Sequence, residues 1–145
     1  MPVHNMNVGV DYTFAFYDGA TGTLIDLGDV QSVRITSMKH DLKSMPYNGP
    51  PRYGYVPDGF RIEFVIVRNV PTWEAFQANY DKLFNQGAIL LPGVLNESVN
   101  NPDGSISRYQ YTECAMHLND HGDVTRERPT QIRLEGLAST KVLIA

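Results

Sequence analysis

The chain has 145 residues and a formal net charge of −4, from 12 Lys and Arg against 16 Asp and Glu. This length suits one domain whose core needs neither disulfides nor a structural metal, and the single cysteine, Cys114, excludes an internal disulfide. The acidic balance argues against a protein that grips nucleic acid phosphates, which usually shows a basic face. Residues 1–6 lack a signal-peptide pattern, and no apolar run approaches the roughly 20 residues of a membrane span. We therefore expect one soluble, cytosolic domain over residues 1–145, without membrane contact.

An alternating pattern near the N-terminus predicts an opening β-hairpin. In residues 10–17 the aromatic side chains share one parity, namely Tyr12, Phe14 and Phe16. Period-two alternation with aromatic residues is typical of a half-buried strand. Residues 18–22 have the composition of a turn, and the short apolar run at 23–26 supplies a partner strand.

Two further runs predict strands that contribute to the core. Residues 30–38 place Val33 and Ile35 on one face. Residues 60–67 alternate more strongly, and we expect their even-numbered apolar side chains to point inward, namely Ile62, Phe64 and Ile66.

The one clear helical pattern covers residues 72–86. Pro71 or Thr72 is suited to begin this helix, and Gly87 is suited to end it. Large apolar side chains recur at helical spacing, so we expect one stripe to pack on the sheet. That stripe comprises Trp73, Phe76, Tyr80, Leu83 and Phe84.

The C-terminal third predicts strands at residues 94–100, 105–118 and 131–144. Turn compositions at residues 101–104 and 119–123 separate them. The sequence has no internal repeats and no change in composition that would indicate a second domain. The sequence therefore predicts a mainly β domain of the α+β class, with one flanking helix.

The segment from about residue 40 to residue 58 differs from the strands beside it, because it interleaves prolines and glycines with tyrosines. Proline lacks a backbone N–H, so this segment cannot be a central strand. We interpret it as an arm that becomes buried against another subunit, since tyrosine and arginine are enriched in interfaces. The residues assigned to this interface are Lys43, Met45, Pro46, Tyr47, Pro50, Arg52, Tyr53 and Tyr55. An Ω-loop packed by its own aromatic side chains is the alternative.

The densest cluster of potential metal ligands comprises His117, Asp120, His121 and Asp123. Two histidines four residues apart share a face only in a helix, and the Asn, Asp and Gly residues here predict a tight turn instead. Cys114 and His117 would point to opposite faces of a strand, so we expect Cys114 to be a small core residue. We predict no catalytic residue, metal site or cofactor, and therefore no enzyme.

Four motifs stand out, at residues 43–60, 73–76, 101–112 and 131–139. Together they resemble a group of small proteins from the tail modules of contractile-tailed bacteriophages, and the likeness extends over about residues 10–144. This group is similar in layout to the tail-tube superfamily. The resemblance implies an antiparallel β-sandwich or partly closed barrel, with one helix at residues 72–86 and a long hairpin loop that reaches onto neighbouring subunits.

The resemblance also implies a function in assembly. Members of the superfamily form hexameric rings whose inner strands line a channel for the phage genome. Acidic side chains suited to such a lining are Glu63, Glu97, Glu113 and Glu135. The expected partners are further copies of the chain and other tail proteins of the tube, sheath or baseplate hub, with DNA only as passing cargo. The protein would reside in the virion after assembly in the host cytoplasm.

Several roles and one rival function stay open from the residues. A tube subunit, a tube initiator, a terminal ring protein and a sheath adaptor share this layout. The rival is a monomeric or dimeric β-barrel that binds a small ligand or acts as an enzyme, using His117 and His121. A single-stranded nucleic-acid binder would need a basic groove, for which the sequence offers no pattern.

Overall fold

The computed structural model describes residues 6–19, 22–25, 27, 29–69 and 71–144. The chain begins with a 3₁₀ turn at Gly9–Asp11, followed by β1 (Tyr12–Tyr17), β2 (Leu24–Ile25), β3 (Asp29–Ser44), β4 (Arg52–Val67), α1 (Thr72–Asn85), β5 (Gly93–Asn100), β6 (Ile106–Asp120), β7 (Gln131–Ala138) and β8 (Thr140–Leu143). Neighbouring strands pair in the order β2-β1-β5-β6-β7-β4-β3, and β8 pairs with β6. Every pairing is antiparallel.

Strand β6 belongs to both layers of the sandwich. Its first half pairs with β5 and β8, and its second half pairs with β7. Between the halves, Glu113 has a φ of 51°, and the buried parity changes from Tyr111 to Cys114. Such an irregularity bends a strand and re-aims its side chains. No pairing among the described residues joins β2 to β3, so the sheet is not closed. The predicted antiparallel sandwich or partly closed barrel with one helix is confirmed.

The core lies between the two layers. The inward prediction for β4 is confirmed, because Ile62, Phe64 and Ile66 are at most 1% exposed. Strands β1 and β3 contribute partly buried side chains, including Phe14 and Val33, that pack against this core. Each fully buried side chain of this size contributes about 1.5–3 kcal/mol to folding.

The predicted opening hairpin is present as the β1–β2 pair. Its turn is closed by the Asp18 N–H, which donates to the Thr23 carbonyl at 2.9 Å, and Gly22 supplies a φ of 69°. Ala20, Thr21 and Asp26 of the predicted turn and strand lie outside the described residues.

Helix α1 packs on the sheet through its N-terminal half. Trp73 is 1% exposed and lies against Phe16, with ring centroids 5.6 Å apart, and Phe76 joins the same cluster. Exposure then rises along the stripe, to 37% at Tyr80 and 67% at Phe84. The packing predicted for Phe84 is therefore not seen, whereas Leu83 in the same turn is half-buried.

Strands β3 and β4 run well beyond their predicted limits and form a two-stranded ribbon, which we call the ribbon (residues 38–59). In it Ser44 pairs with Arg52. The prolines do not prevent this pairing. Before Phe60, β4 pairs with β3 alone, so no second strand requires the backbone N–H that Pro57 lacks. The predicted arm is thus largely regular β structure, and it is nowhere a central strand.

The ribbon leaves the sheet at a β-bulge. Pairing shifts from Ser37 with Phe60 to Lys39 with Pro57, and within the bulge Gly59 has a φ of 99°. A β-carbon at Gly59 would lie 2.7 Å from the Ala138 carbonyl oxygen. Only glycine meets both conditions without strain.

Replacing Gly59 by alanine should lower the free energy of unfolding by about 1–3 kcal/mol, through positive-φ strain and the backbone clash. Gly54→Ala is the matched control, because it lies in the same strand and a β-carbon added there would meet nothing within 4 Å. Urea titrations followed by circular dichroism measure both variants. Equal stabilities would contradict the role of the bulge.

Candidate assembly surface

The ribbon projects from the body of the protein. From Ser37 to Ser44 the chain advances seven residues, which is about 23 Å at the rise of an extended strand. Every side chain from Lys39 to Asp58 is exposed except that of Pro46, which is half-buried. At the tip, Tyr47 is 100% exposed. The Ω-loop alternative does not fit, because these aromatic side chains do not pack into a core of their own.

Strand register divides the ribbon into two faces, since directly opposite side chains of an antiparallel pair share a face. The aromatic face comprises Lys39, Asp41, Lys43, Tyr53, Tyr55 and Pro57. The aliphatic face comprises His40, Leu42, Ser44, Arg52, Gly54 and Val56. On the aromatic face the Lys39 and Lys43 ammonium groups lie 4.8 and 5.8 Å from the ring centroids of Tyr55 and Tyr53.

The structure brings the predicted interface residues to one end of the molecule. Met45, Pro46, Tyr47 and Pro50 form the tip, whereas Lys43, Tyr53 and Tyr55 lie on the aromatic face and Arg52 on the aliphatic face. Tyr53 is 73% and Tyr55 58% exposed. Exposed tyrosines clustered in this way are typical of protein interfaces and leave apolar surface for a partner to cover.

Three of the four predicted acidic side chains lie on the outside of the protein. Glu63 and Glu135 are directly opposite each other on β4 and β7, and Arg34 and His117 extend the row on either side. The Glu135 carboxylate lies 4.0 Å from Nε2 of His117. Glu113 is exposed and accepts a hydrogen bond from the Ser139 hydroxyl at 2.9 Å.

Glu97 does not belong with these three, because it is buried at 7% exposure. Alternation along β5 places it on the interior face with Leu95 and Val99. The Tyr111 hydroxyl donates a hydrogen bond of 3.1 Å to its carboxylate. Burial, together with the neighbouring Glu97 charge, raises the pKa of Tyr111 and keeps the phenol a donor. A buried side chain cannot line a channel, so this part of the predicted lining is wrong.

Glu97 and Tyr111 line a cleft of about 350 Å³ where the ribbon joins the body. Its remaining walls are Phe14, Val33, Ile35, Ser37, Phe60 and Lys141. The Lys141 ammonium lies over two rings, 4.3 Å from the centroid of Tyr109 and 5.4 Å from that of Tyr111. The sequence interpretation missed this cleft. Alternation along the strand places Glu97 on the same face as Leu95 and Val99, and this pattern could have predicted that Glu97 is buried.

The residues of the rival function are not brought together. His117 and His121 are exposed, and within the described ranges no three His, Cys, Asp or Glu side chains are arranged to hold a metal ion. Cys114 is buried, as predicted, and burial raises the pKa of its thiol to about 12. A thiol with so high a pKa is a poor nucleophile.

The fold is that of tail and baseplate components of contractile injection systems, and the predicted resemblance is confirmed at this level. A chain of the anti-feeding prophage baseplate, from a six-fold symmetrised cryo-EM structure, superposes with a TM-score of 0.58 at 8% identity, over 99% of this chain and 98% of that one. A chain of the extracellular contractile injection system PVC sheath/tube terminator superposes with a TM-score of 0.57 at 13% identity, over 100% and 96%. A chain of the tail of an empty GTA particle, refined with C6 symmetry, gives 0.53 at 15% identity, over 96% and 99%.

Sequence comparison adds no relative to these structures. No family model matches the chain, and no curated protein matches it. In the part of the chain that the structure describes, no helix is both long and apolar enough to cross a bilayer.

Proposed function

We propose that this chain is a structural component of a contractile tail, assembling with further copies of itself into a hexameric ring that forms or extends the inner tube or the baseplate channel. The observation that carries the proposal is the exposed, tyrosine-rich ribbon on a body with the fold of tail components. Two of the similar structures were determined with six-fold symmetry. The protein acts by assembly and not by catalysis, within the virion, after assembly in the host cytoplasm.

Ring formation would use the free strand edges and the ribbon together. The outer edge of β3, from Asp29 to Ser44, has no strand partner among the described residues. An edge of this length is an aggregation liability unless another chain covers it. A head-to-tail interface closes into a ring when its rotation fits, so edge pairing between subunits removes the liability and the ribbon secures one subunit to the next.

The outward row that contains Glu63 and Glu135 supplies the channel lining in this proposal. Glu63 and Glu135 stand opposite each other on adjacent strands, on the face directed away from the core. Arg34 lies beside Glu63 and Arg133 shares the outward side of β7 with Glu135, so the lining would be of mixed charge. Its two carboxylates repel phosphates and would limit how strongly passing DNA adheres. Partners beyond the ring would be the tube, sheath or baseplate hub proteins of the same particle.

Negative-stain electron microscopy of the purified full chain, with its mass from light scattering, tests the proposal. We expect rings or tubes with six subunits per turn. A protein that stays monomeric across the concentration range would contradict ring assembly. A monomer whose melting temperature rises with zinc would instead favour the ligand-binding barrel that uses His117 and His121.

A further inference from the structure

Glu97 is a buried carboxylate whose charge is incompletely compensated. Its one side-chain hydrogen bond within the described part of the chain comes from Tyr111. No Lys, Arg or His nitrogen of those residues lies within 4.0 Å of it. Burying a charge without an opposite charge beside it is costly, so this position favours the arrival of a cation.

The cleft around Glu97 has the chemistry of a socket for a cationic side chain with an apolar stem. Phe14, Phe60 and Ile35 provide apolar and aromatic walls, and the carboxylate of Glu97 provides the opposite charge. A guanidinium fits this combination well, because it binds carboxylates in a two-pronged geometry and stacks on aromatic faces. We call this cleft the Glu97 socket.

Arg52 is an exposed cation at the outer end of the ribbon. Its side chain makes no hydrogen bond, ion pair or ring contact with any described residue, whereas Lys39 and Lys43 lie over tyrosines of their own ribbon. Arg52 pairs with Ser44 at the outer end of the ribbon. Ser37 and Phe60 lie at the other end, where the ribbon joins the body, and line the socket. The two sites of one molecule are therefore separated by about 23 Å of extended ribbon.

We propose that the Glu97 socket receives Arg52 from the ribbon of a second copy of this chain. The ribbon carries Lys39, Lys43 and Arg52 against Asp41 and Asp58, a net charge of +1, and since the whole chain carries −4 the rest carries −5. The ribbon and the body are thus complementary in charge, which steers two copies together and sets their register. Prolines at the tip reduce the entropy lost on docking. The inference rests on the proposed self-assembly and names the contact that holds the ribbon.

A double-mutant cycle on assembly tests the pair, using Arg52→Gln, Glu97→Gln and the double variant. Glutamine keeps the shape of Glu97 and an acceptor for the Tyr111 hydroxyl, so circular dichroism melts should show a folded monomer. We expect each single variant to raise the dissociation constant of the assembly at least tenfold. The double variant should have a dissociation constant no higher than that of the more weakly assembling single variant. Independent, additive losses would overturn the pairing, and so would an unchanged Glu97→Gln assembly.

Two controls separate the pairing from other effects of charge. Arg126→Gln removes an exposed arginine from a different loop and should leave assembly unchanged. Lys141→Gln tests whether Lys141 itself neutralises Glu97 within one molecule. Because Lys141 lines the socket and its ammonium repels an incoming guanidinium, we expect this variant to assemble more tightly than the unmodified chain. If Lys141→Gln and Glu97→Gln were instead coupled in the melting temperature of the monomer, Lys141 would be the partner and the proposal would fail.

The socket can also be tested if the full chain does not assemble, an outcome that would contradict the proposed function. A cyclised peptide of residues 42–57 is then titrated into the full-length monomer and followed by chemical shift changes at the socket. Binding that falls at least tenfold with the Arg52→Gln peptide and with Glu97→Gln protein supports the socket. No binding, or equal binding by all forms, overturns it.

Discussion

Replacing residues 41–55 by Asn-Gly should leave a folded monomer that no longer assembles. The replacement joins His40 to Val56, which pair directly, and Asn-Gly is the preferred connection for a two-residue hairpin. The side chains removed are exposed, apart from half-buried Pro46, so the core between the layers is untouched. We expect the melting temperature to change by only a few degrees, in line with the small effect of surface changes.

Light scattering and negative-stain microscopy at matched concentrations measure the loss of assembly. Point variants refine the result: Tyr47→Ser at the tip should weaken assembly, whereas Val124→Ser is the matched control. Both side chains are strongly exposed, at 100% and 86%, and only Tyr47 belongs to the ribbon. Rings or tubes of unchanged size from the shortened protein would refute the interface role of the ribbon.

Replacing Trp73 by alanine should lower the free energy of unfolding by about 3–5 kcal/mol, the range for removing a large aromatic side chain from a core. Trp73 is 1% exposed and contacts Phe16 and Phe76, so its loss opens a cavity where α1 meets the sheet. Its Nε1–H is buried without a hydrogen-bond partner among the described atoms. Trp73→Phe should therefore be much milder, because it removes that unpaired donor and retains most of the packing.

Urea unfolding followed by far-ultraviolet circular dichroism measures these variants, since Trp73 is the sole tryptophan and its own fluorescence is lost. Phe84→Ala on the same helix is the control. At 67% exposure it should cost no more than about 0.5 kcal/mol. Similar losses at both positions would mean that α1 is held along its whole length and not by its first turns.

The local patterns of the sequence were sufficient wherever one face of an element is buried. The alternation in residues 60–67 predicted the inward side chains of β4, and the helical spacing from residue 72 predicted α1 within one residue of its end. Both predictions depend on a period that burial imposes on neighbouring residues. The exposure of Phe84 could not be predicted in this way, because the helical face does not tell where the sheet beneath it ends.

The ribbon shows the opposite case, in which local composition was misleading. Prolines and glycines suggested an irregular arm, yet the backbone of β4 continues as a strand from Arg52. Pairing with a single neighbour tolerates a missing N–H, and the bulge at Gly59 absorbs the change of register. Neither condition is visible without knowing how many neighbours a strand has.

Composition and short-range periodicity were enough to predict a mainly β chain with one helix, an acidic balance and a tyrosine-rich segment distinct from the core strands. Which of the acidic side chains face outward could be seen only in the folded chain. Glu97 lies inside because β5 turns its odd-numbered side chains towards the core. The cleft beside Glu97 forms from strands that are distant in sequence. Contacts of that kind depend on register between strands, which no single segment specifies.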